Sequence, residues 1–126
     1  MKKIIISSKN IGIVEAELSE ENSPKTVELI WSALPIKAKA NTWGNEIYFP
    51  IGVTAKLENA RDLVEKGDLG YWPIGKAFCI FFGRTPASKR DEIRAASPVN
   101  ILGKVLGDPD VFKKIRDGEN ITLNRD

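Results

Sequence analysis

The residues best suited to chemistry are one carboxylate, one guanidinium group and several aromatic side chains in neighbouring segments of the chain. Glu46 and Tyr48 alternate with apolar residues, so a strand here would turn both side chains away from its apolar face. An acid, an arginine and aromatic rings that converge on one concave face suit a small amphipathic ligand or a peptide. The candidate ligand-binding residues are therefore Trp43, Glu46, Tyr48, Tyr71, Trp72, Phe82 and Arg84.

Each of these residues also has a purely structural explanation. Large aromatic side chains in a small β-rich domain commonly pack in the core. Glu46 would then be a solvated strand residue beside a hairpin, and Arg84 would bond the carbonyl oxygens of the turn at residues 83–86. The residue types alone leave both interpretations open.

Histidine is absent from the chain, and Cys79 is its single cysteine. Catalytic Ser–His and Cys–His pairs, Cys/His zinc sites and disulfides all need residues that the sequence lacks. Cys79 lies in an apolar strand without a basic neighbour in sequence, which favours a small core residue over a nucleophile. The carboxylates are dispersed, and no glycine-rich segment leads into a helix as in a phosphate-binding loop. We therefore expect no metal and no cofactor.

Charge and hydropathy favour a protein without nucleic-acid or membrane partners. The chain has 19 Lys and Arg against 17 Asp and Glu, and the two signs are interspersed. Nucleic-acid binders instead cluster their positive side chains. The longest apolar run, residues 77–82, is too short to cross a bilayer, and the apolar run that follows Lys3 stops at Ser7. We expect a cytoplasmic protein.

Two short helices are predicted from capping residues and apolar spacing. In residues 24–34, Ser23 can cap the helix, Pro24 takes the first helical position, and apolar side chains follow at helical spacing. In residues 109–115 the same pattern recurs, with Asp108 as the cap and a proline behind it. Each helix has one apolar stripe, so both are expected to cover a core made by other elements.

The rest of the chain is predicted to form about eight short strands separated by turns that contain Gly and Pro. Gly44 and Asn45 form a two-residue loop with glycine first, which is typical of a type II′ hairpin. Many short strands with two helices favour closure, because a closed barrel leaves no exposed sheet edge. We therefore predict one domain over residues 1–126: a mainly β, closed eight-stranded antiparallel barrel with two short capping helices.

Linked motifs in the second half of the chain resemble the cyclophilins. The segment VNILGKV at residues 99–105, followed by VFKKI at 111–115, is similar to their late strand and to the helix after it. The segments at residues 41–49, 67–73 and 81–86 are similar, more specifically, to a family of short bacterial and archaeal cyclophilin-like proteins. This resemblance spans nearly the whole chain. It implies the eight-stranded barrel with two helices, and it implies no established activity.

Most residues that cyclophilins use to isomerise prolines are missing. By the resemblance, Phe82 matches the second phenylalanine of a double-phenylalanine strand and would form one wall of a proline-sized pocket. Val99 stands at the position of the histidine, and Thr42 and Trp43 stand where the arginine would precede the hairpin. The chain has no glutamine, and it has no tryptophan between Phe82 and Val99. The barrier to rotation about a peptide bond is about 18–20 kcal/mol. Losing one donor that stabilises a transition state costs roughly 10²–10³ in rate, so conventional isomerase activity is not expected.

Function hypotheses from different classes remain. The first is a non-catalytic or weakly catalytic module that binds a peptide or small molecule on the barrel face. The alternative is an enzyme of another chemistry, such as a hydrolase with Glu46 as acid or base and Tyr48 or Arg84 orienting charge, or a weak peptidyl-prolyl isomerase. Binding of single-stranded nucleic acid is a weaker hypothesis, because the charge is nearly balanced. A pocket that holds Glu46 with a raised pKa and an arginine would favour the enzyme, whereas an all-aromatic groove would favour binding.

Overall fold

Antiparallel strands are the main regular elements of the chain, and one α-helix and one 3₁₀ helix pack against them. The computed structural model describes residues 2–126, so the first residue of the predicted domain lies outside the described part. Within it the strands are β1 Lys2–Ser8, β2 Gly12–Leu18, β3 Ile36–Lys39, β4 Asn41–Thr42, β5 Glu46–Pro50, β6 Arg61–Val64, β7 Asp68–Trp72, β8 Ala77–Phe81, β9 Ile93–Val105 and β10 Asn120–Arg125. The helices are α1 Pro24–Ala33 and the 3₁₀ helix Pro109–Lys114.

The strands follow the order β3-β10-β1-β2-β9-β7-β8-β5-β4, and every pair is antiparallel. The long strand β9 takes part in two sets of strand pairings. Its second half pairs with β2 and β7, whereas its first half pairs with β6, which lies off this path. The first half of β9 and β6 therefore form a flap, which we call the β6–β9 flap, beside the main sheet.

The predicted closed eight-stranded barrel is wrong, because residues 2–126 form ten strands in an open sheet. The two ends of the strand order, β3 and β4, follow each other along the chain on either side of Ala40. The Ala40 N–H donates to the carbonyl of Glu119 at 2.8 Å, and its carbonyl accepts from the N–H of Gly118 at 2.7 Å. The two edge strands are thus joined end to end through one residue, and no ladder pairs them side by side in the described chain.

The sheet is buried on both faces where β8 runs through it. Phe78 and Ile80 belong to the main core, and Cys79 and Phe81 belong to a second apolar cluster under the β6–β9 flap. This two-sided burial explains why all five residues of β8 are buried and why its sequence is apolar without alternation. The candidate site lies at the margin of the second cluster.

Both predicted helices are present, with small differences in extent and type. Helix α1 ends at Ala33, and Pro24 occupies its first turn as predicted. The second segment is a 3₁₀ helix, in which the Asp108 side chain accepts from the Asp110 N–H at 3.0 Å, as expected of the cap. No helix within residues 2–126 has the length and apolar character needed to cross a membrane.

Candidate functional site

A cavity of about 170 Å³ opens between the β4–β5 hairpin, β7 and the β6–β9 flap. Its walls are aromatic or aliphatic except for one carboxyl group. The lining residues are Trp43, Glu46, Tyr48, Trp72, Ala95, Ala96 and Val99. We call this space the Glu46 cavity.

The hairpin turn places Glu46 at the first position of β5. The N–H of Trp43 donates to the carbonyl of Glu46 at 2.9 Å, and the N–H of Glu46 donates to the carbonyl of Trp43 at 3.2 Å. Gly44 has φ +61°, which confirms the predicted glycine-first loop. A Cβ atom at Gly44 would lie 2.8 Å from Pro86 Cδ, so the turn also needs glycine for space.

Glu46 is a buried carboxyl group without a cationic partner. The residue is only 5% exposed, and none of the ion pairs among the described residues includes it. Burial raises its pKa to about 7, although a hydrogen bond with the Cys79 side chain acts in the opposite direction. The carboxyl is therefore poised between its neutral and ionised forms near neutral pH.

Tyr48 and Trp72 form an aromatic corner beside Glu46. Their ring centroids lie 6.0 Å apart, and their planes meet at 80°. The Trp72 indole Nε1–H donates to Ser97 Oγ at 2.6 Å, which ties the ring to the β6–β9 flap. On the other side the ring packs so closely on Gly75 that a Cβ there would lie 2.6 Å from it. These contacts hold the ring of Trp72 in one orientation.

Cys79 is the buried neighbour of Glu46. The residue is 1% exposed, which confirms its prediction as a small core residue. Burial raises the pKa of its thiol well above the usual value, and the negative charge of Glu46 adds to the effect. The group is therefore a protonated thiol at neutral pH, and its one proton is within reach of two acceptors, the Glu46 carboxyl group and the carbonyl of Ala77, which lies 3.8 Å from the sulfur.

Four of the residues predicted to form the site line the Glu46 cavity: Trp43, Glu46, Tyr48 and Trp72. Glu46 and Tyr48 share a strand face, as the alternation predicts, and Trp72 reaches the same space from β7. Glu46 is not the solvated strand residue of the alternative interpretation, because it is buried.

The structure places Tyr71, Phe82 and Arg84 elsewhere, so the expectation that they share this surface is wrong. Tyr71 is fully buried in the main core, where its hydroxyl donates to the carbonyl of Val53. Phe82 is also in the main core, with its ring centroid 6.2 Å from that of Phe112. Adjacent strand residues face opposite sides, so Trp72 in the cavity requires Tyr71 in the core.

Arg84 belongs to the turn after β8. Its side chain is exposed, and its Nη2 donates to the carbonyl of Ser88 at 3.2 Å. Its role is thus structural, although the acceptor lies two residues beyond the predicted turn at residues 83–86. The Glu46 cavity consequently has a carboxyl group but no arginine among its lining residues.

The flap side of the cavity, made by Ala95, Ala96 and Val99, is missing from the residues proposed from sequence alone. Small residues followed by Ser97 and Pro98 carry no strand alternation, so the first half of β9 is not recognised as a strand. One signal was present: Val99 occupies the position that the resemblance assigns to the histidine of the cyclophilin groove. That correspondence could have pointed to this wall.

Within residues 2–126 no group of three or more His, Cys, Asp or Glu side chains is close enough to hold a metal ion. The Glu46 cavity can instead hold one small group against aromatic walls and exchange a hydrogen bond or a proton with it.

Comparison with known proteins adds a family and a structural relative. The family model described as Cyclophilin-like matches residues 2–124. The solution structure of the hypothetical protein AF2241 from Archaeoglobus fulgidus is similar, with 44% sequence identity and a TM-score of 0.86. That alignment covers 99% of this chain and 95% of the archaeal chain. No curated protein shows a significant match.

Proposed function

The chain belongs to the cyclophilin-like family, and we propose that it is a binding protein that takes a small molecule or a peptide side chain into the Glu46 cavity. The fold by itself does not specify an activity, so the proposal depends on the site. The site has the features of a ligand pocket: mostly apolar walls and a single polar group that can fix orientation.

The observation that carries the proposal is a buried carboxyl group that faces an aromatic cavity and has no cationic partner. Such a group costs stability once it ionises, because burial penalises its charged form. Replacing a buried charge by a neutral group of similar shape is often neutral or stabilising. Stability of the folded chain therefore does not explain a glutamate at position 46, whereas recognition of a ligand does.

Acid–base catalysis by Glu46 is the second candidate. The observation that favours it is the pKa of about 7, since a general acid or base works best near the operating pH. It lacks support from a cation in the cavity that would stabilise a developing negative charge, because Arg84 lies elsewhere. Binding is therefore the function that the geometry supports better.

The test fills the cavity from its exposed edge. Ala96 lines the cavity but is exposed, so Ala96→Leu narrows the space with little effect on the core. Ala33→Leu, on an exposed position of α1, is the matched control. The probes are small aliphatic amines, alcohols and amides and N-acetylated amino-acid amides, with binding measured by thermal shift and ligand-observed NMR.

We expect at least one probe to bind the wild-type protein and Ala33→Leu, and to bind Ala96→Leu much more weakly. The proposal is overturned if no probe binds, or if every probe that binds does so equally well to Ala96→Leu. In the latter case the binding surface lies outside the Glu46 cavity.

A further inference from the structure

We propose that the ligand of the Glu46 cavity is an organic cation, and that the cavity holds its alkylated ammonium group between the Glu46 carboxylate and the rings of Tyr48 and Trp72. This inference rests on the proposed binding function and adds the chemical class of the ligand. Three properties of the cavity carry it: its charge, the arrangement of its rings and its size.

The charge of the cavity is negative and uncompensated. Among the lining side chains only Glu46 bears a charge, since the others are aromatic, aliphatic or a tyrosine hydroxyl. An anionic ligand would add a second negative charge to a buried site, and a neutral ligand would leave the carboxylate unpaired. A cation supplies the missing partner and favours the ionised form of Glu46, so it recovers part of the cost of burial.

The aromatic corner suits the same kind of ligand. The rings of Tyr48 and Trp72 pack edge to face with their planes at 80°, so part of the face of each ring borders the corner between them. Ring faces carry the negative part of the aromatic quadrupole, and they attract cations, especially alkylated ammonium groups that shed water easily. Trp43 adds a third aromatic side chain to the lining. Contacts from Ser97 and Gly75 hold the Trp72 ring in place before the ligand arrives.

The size of the cavity limits what enters it. A space of about 170 Å³ admits a headgroup such as trimethylammonium, whereas drug-sized ligands occupy pockets of roughly 300–1,000 Å³. The cavity therefore binds the end of a longer molecule or a small free amine. Ala96 at the exposed rim leaves room for the rest of such a molecule to extend into solvent.

The protonation state of Glu46 controls this binding. The titratable groups that face it are the Cys79 thiol from β8 and the Tyr48 hydroxyl from its own strand, while Trp72 from β7 and Ala95 and Val99 from β9 carry no charge. Burial raises the Glu46 pKa to about 7, so the carboxylate is mostly neutral at pH 5.5 and mostly ionised at pH 8. A quaternary ammonium ion keeps its charge over this range, and its affinity should therefore rise with pH.

The experiment compares two molecules that differ in charge but hardly in shape: choline and its neutral carbon analogue 3,3-dimethylbutan-1-ol. Their dissociation constants are measured by calorimetry at pH 8 and pH 5.5, for the wild-type protein, Glu46→Gln and the exposed control Glu28→Gln. We expect choline to bind the wild type at pH 8 about tenfold or more tightly than the alcohol. Lowering the pH to 5.5 should weaken choline about tenfold and leave the alcohol unchanged.

Glu46→Gln should reduce the preference for choline to about threefold or less and remove its pH dependence, whereas Glu28→Gln should bind as the wild type does. Equal or tighter binding of the neutral alcohol to the wild type would overturn the inference and leave the proposed binding function standing. Binding of neither molecule also overturns the inference, and the proposed function is then decided by the separate comparison of Ala96→Leu with Ala33→Leu.

Discussion

Burial of Glu46 lowers the stability of the folded protein when the carboxyl group is ionised, and the same burial gives the group its chemical use in the cavity. Glu46 lies on a strand whose other face holds Ile47 and Phe49 in the main core, and only 5% of the residue is exposed, at the wall of the Glu46 cavity. The neighbouring Cys79 thiol is uncharged and cannot neutralise the carboxylate. The folded protein therefore holds a proton on this carboxyl at pH values where the unfolded chain has already lost it.

The consequence is a stability that depends on pH through one residue. Because the pKa of Glu46 is about 7 when folded and 4.5 as the reference value, its contribution to the free energy of unfolding falls as pH rises from about 4.5 to about 7. Well above pH 7 the free energy of unfolding is lower by about 3 kcal/mol than it would be if the pKa of Glu46 were the same in the folded and unfolded chain. We expect Glu46→Gln to be as stable as the wild type near pH 4.5 and more stable by up to that amount at pH 8.

Urea unfolding of both proteins at the two pH values measures the effect. Other carboxyl groups titrate in both proteins, so their contributions cancel in the difference. The exposed Glu28→Gln serves as control and should change stability by no more than about 0.5 kcal/mol at either pH. A Glu46→Gln variant that is less stable than the wild type at pH 8 would assign the carboxylate a structural role.

At the scale of elements, the start of α1 depends on a residue far away in sequence. Ser23 precedes the helix, but the prediction that its side chain caps the helix is wrong, because the hydroxyl donates instead to the carbonyl of Glu58. The Glu58 carboxylate accepts from the N–H groups of Lys25 at 3.1 Å and Thr26 at 3.0 Å, and from the Thr26 hydroxyl. Asn100 on β9 joins this network by accepting from the Glu58 N–H. The loop before β6 and the helix therefore hold each other in place.

Glu58→Ala should lower the free energy of unfolding by about 1–2 kcal/mol, because it removes an N-terminal cap and a negative charge beside the helix N-terminus. Partial burial raises the pKa of Glu58, but hydrogen bonds from Thr26 and Lys25 outweigh that effect and hold it below its usual range. This stabilisation is present at neutral pH and is lost as the carboxyl protonates in acid. Urea unfolding should show that the difference in free energy of unfolding between the wild type and Glu58→Ala is smaller at pH 3 than at pH 7. Glu28→Ala is the control. An equal difference at both pH values would contradict the capping role.

At the scale of the whole molecule, the path of β9 decides what kind of groove the protein has. Its first half crosses from the main sheet to pair with β6, and Gly70 on β7 makes room for the Val99 side chain of the flap. The flap covers the outer face of β8 and leaves the Glu46 cavity at its margin. The resulting site is small and acidic, and it differs from a groove that holds a prolyl peptide with arginine, histidine and glutamine side chains.

Proline isomerisation is therefore expected to stay near the uncatalysed rate. The sequence lacks the histidine and glutamine, Arg84 is used in a turn, and Phe82 is buried against Phe112 and cannot form a wall of a proline pocket. Without a donor aimed at the twisting amide, the barrier of about 18–20 kcal/mol remains. The measurement is an isomerisation assay on a short prolyl peptide with an ordinary cyclophilin as the positive control. Acceleration comparable with that control would contradict this prediction and show that another side chain or backbone group donates to the twisting amide.

The local sequence determined much of this protein: both helical segments, the glycine-first hairpin, most strands and the placement of Glu46 and Tyr48 on one strand face. These features depend on capping, turn chemistry and alternation, which act over a few residues. The resemblance added the family, which the match over residues 2–124 confirms.

Only the tertiary structure decided which aromatic residues reach the cavity and whether the sheet closes. In the pairs Tyr71–Trp72 and Phe81–Phe82 one ring must face each side of the sheet, and no local rule says which, because both sides are apolar once the β6–β9 flap covers the outer one. The open sheet likewise involves a distant contact. The backbone groups of Ala40, between the two edge strands, bond to a loop nearly eighty positions away in sequence and not to a neighbouring strand. Both outcomes are set by contacts between distant segments, and a pattern read along the chain carries no information about them.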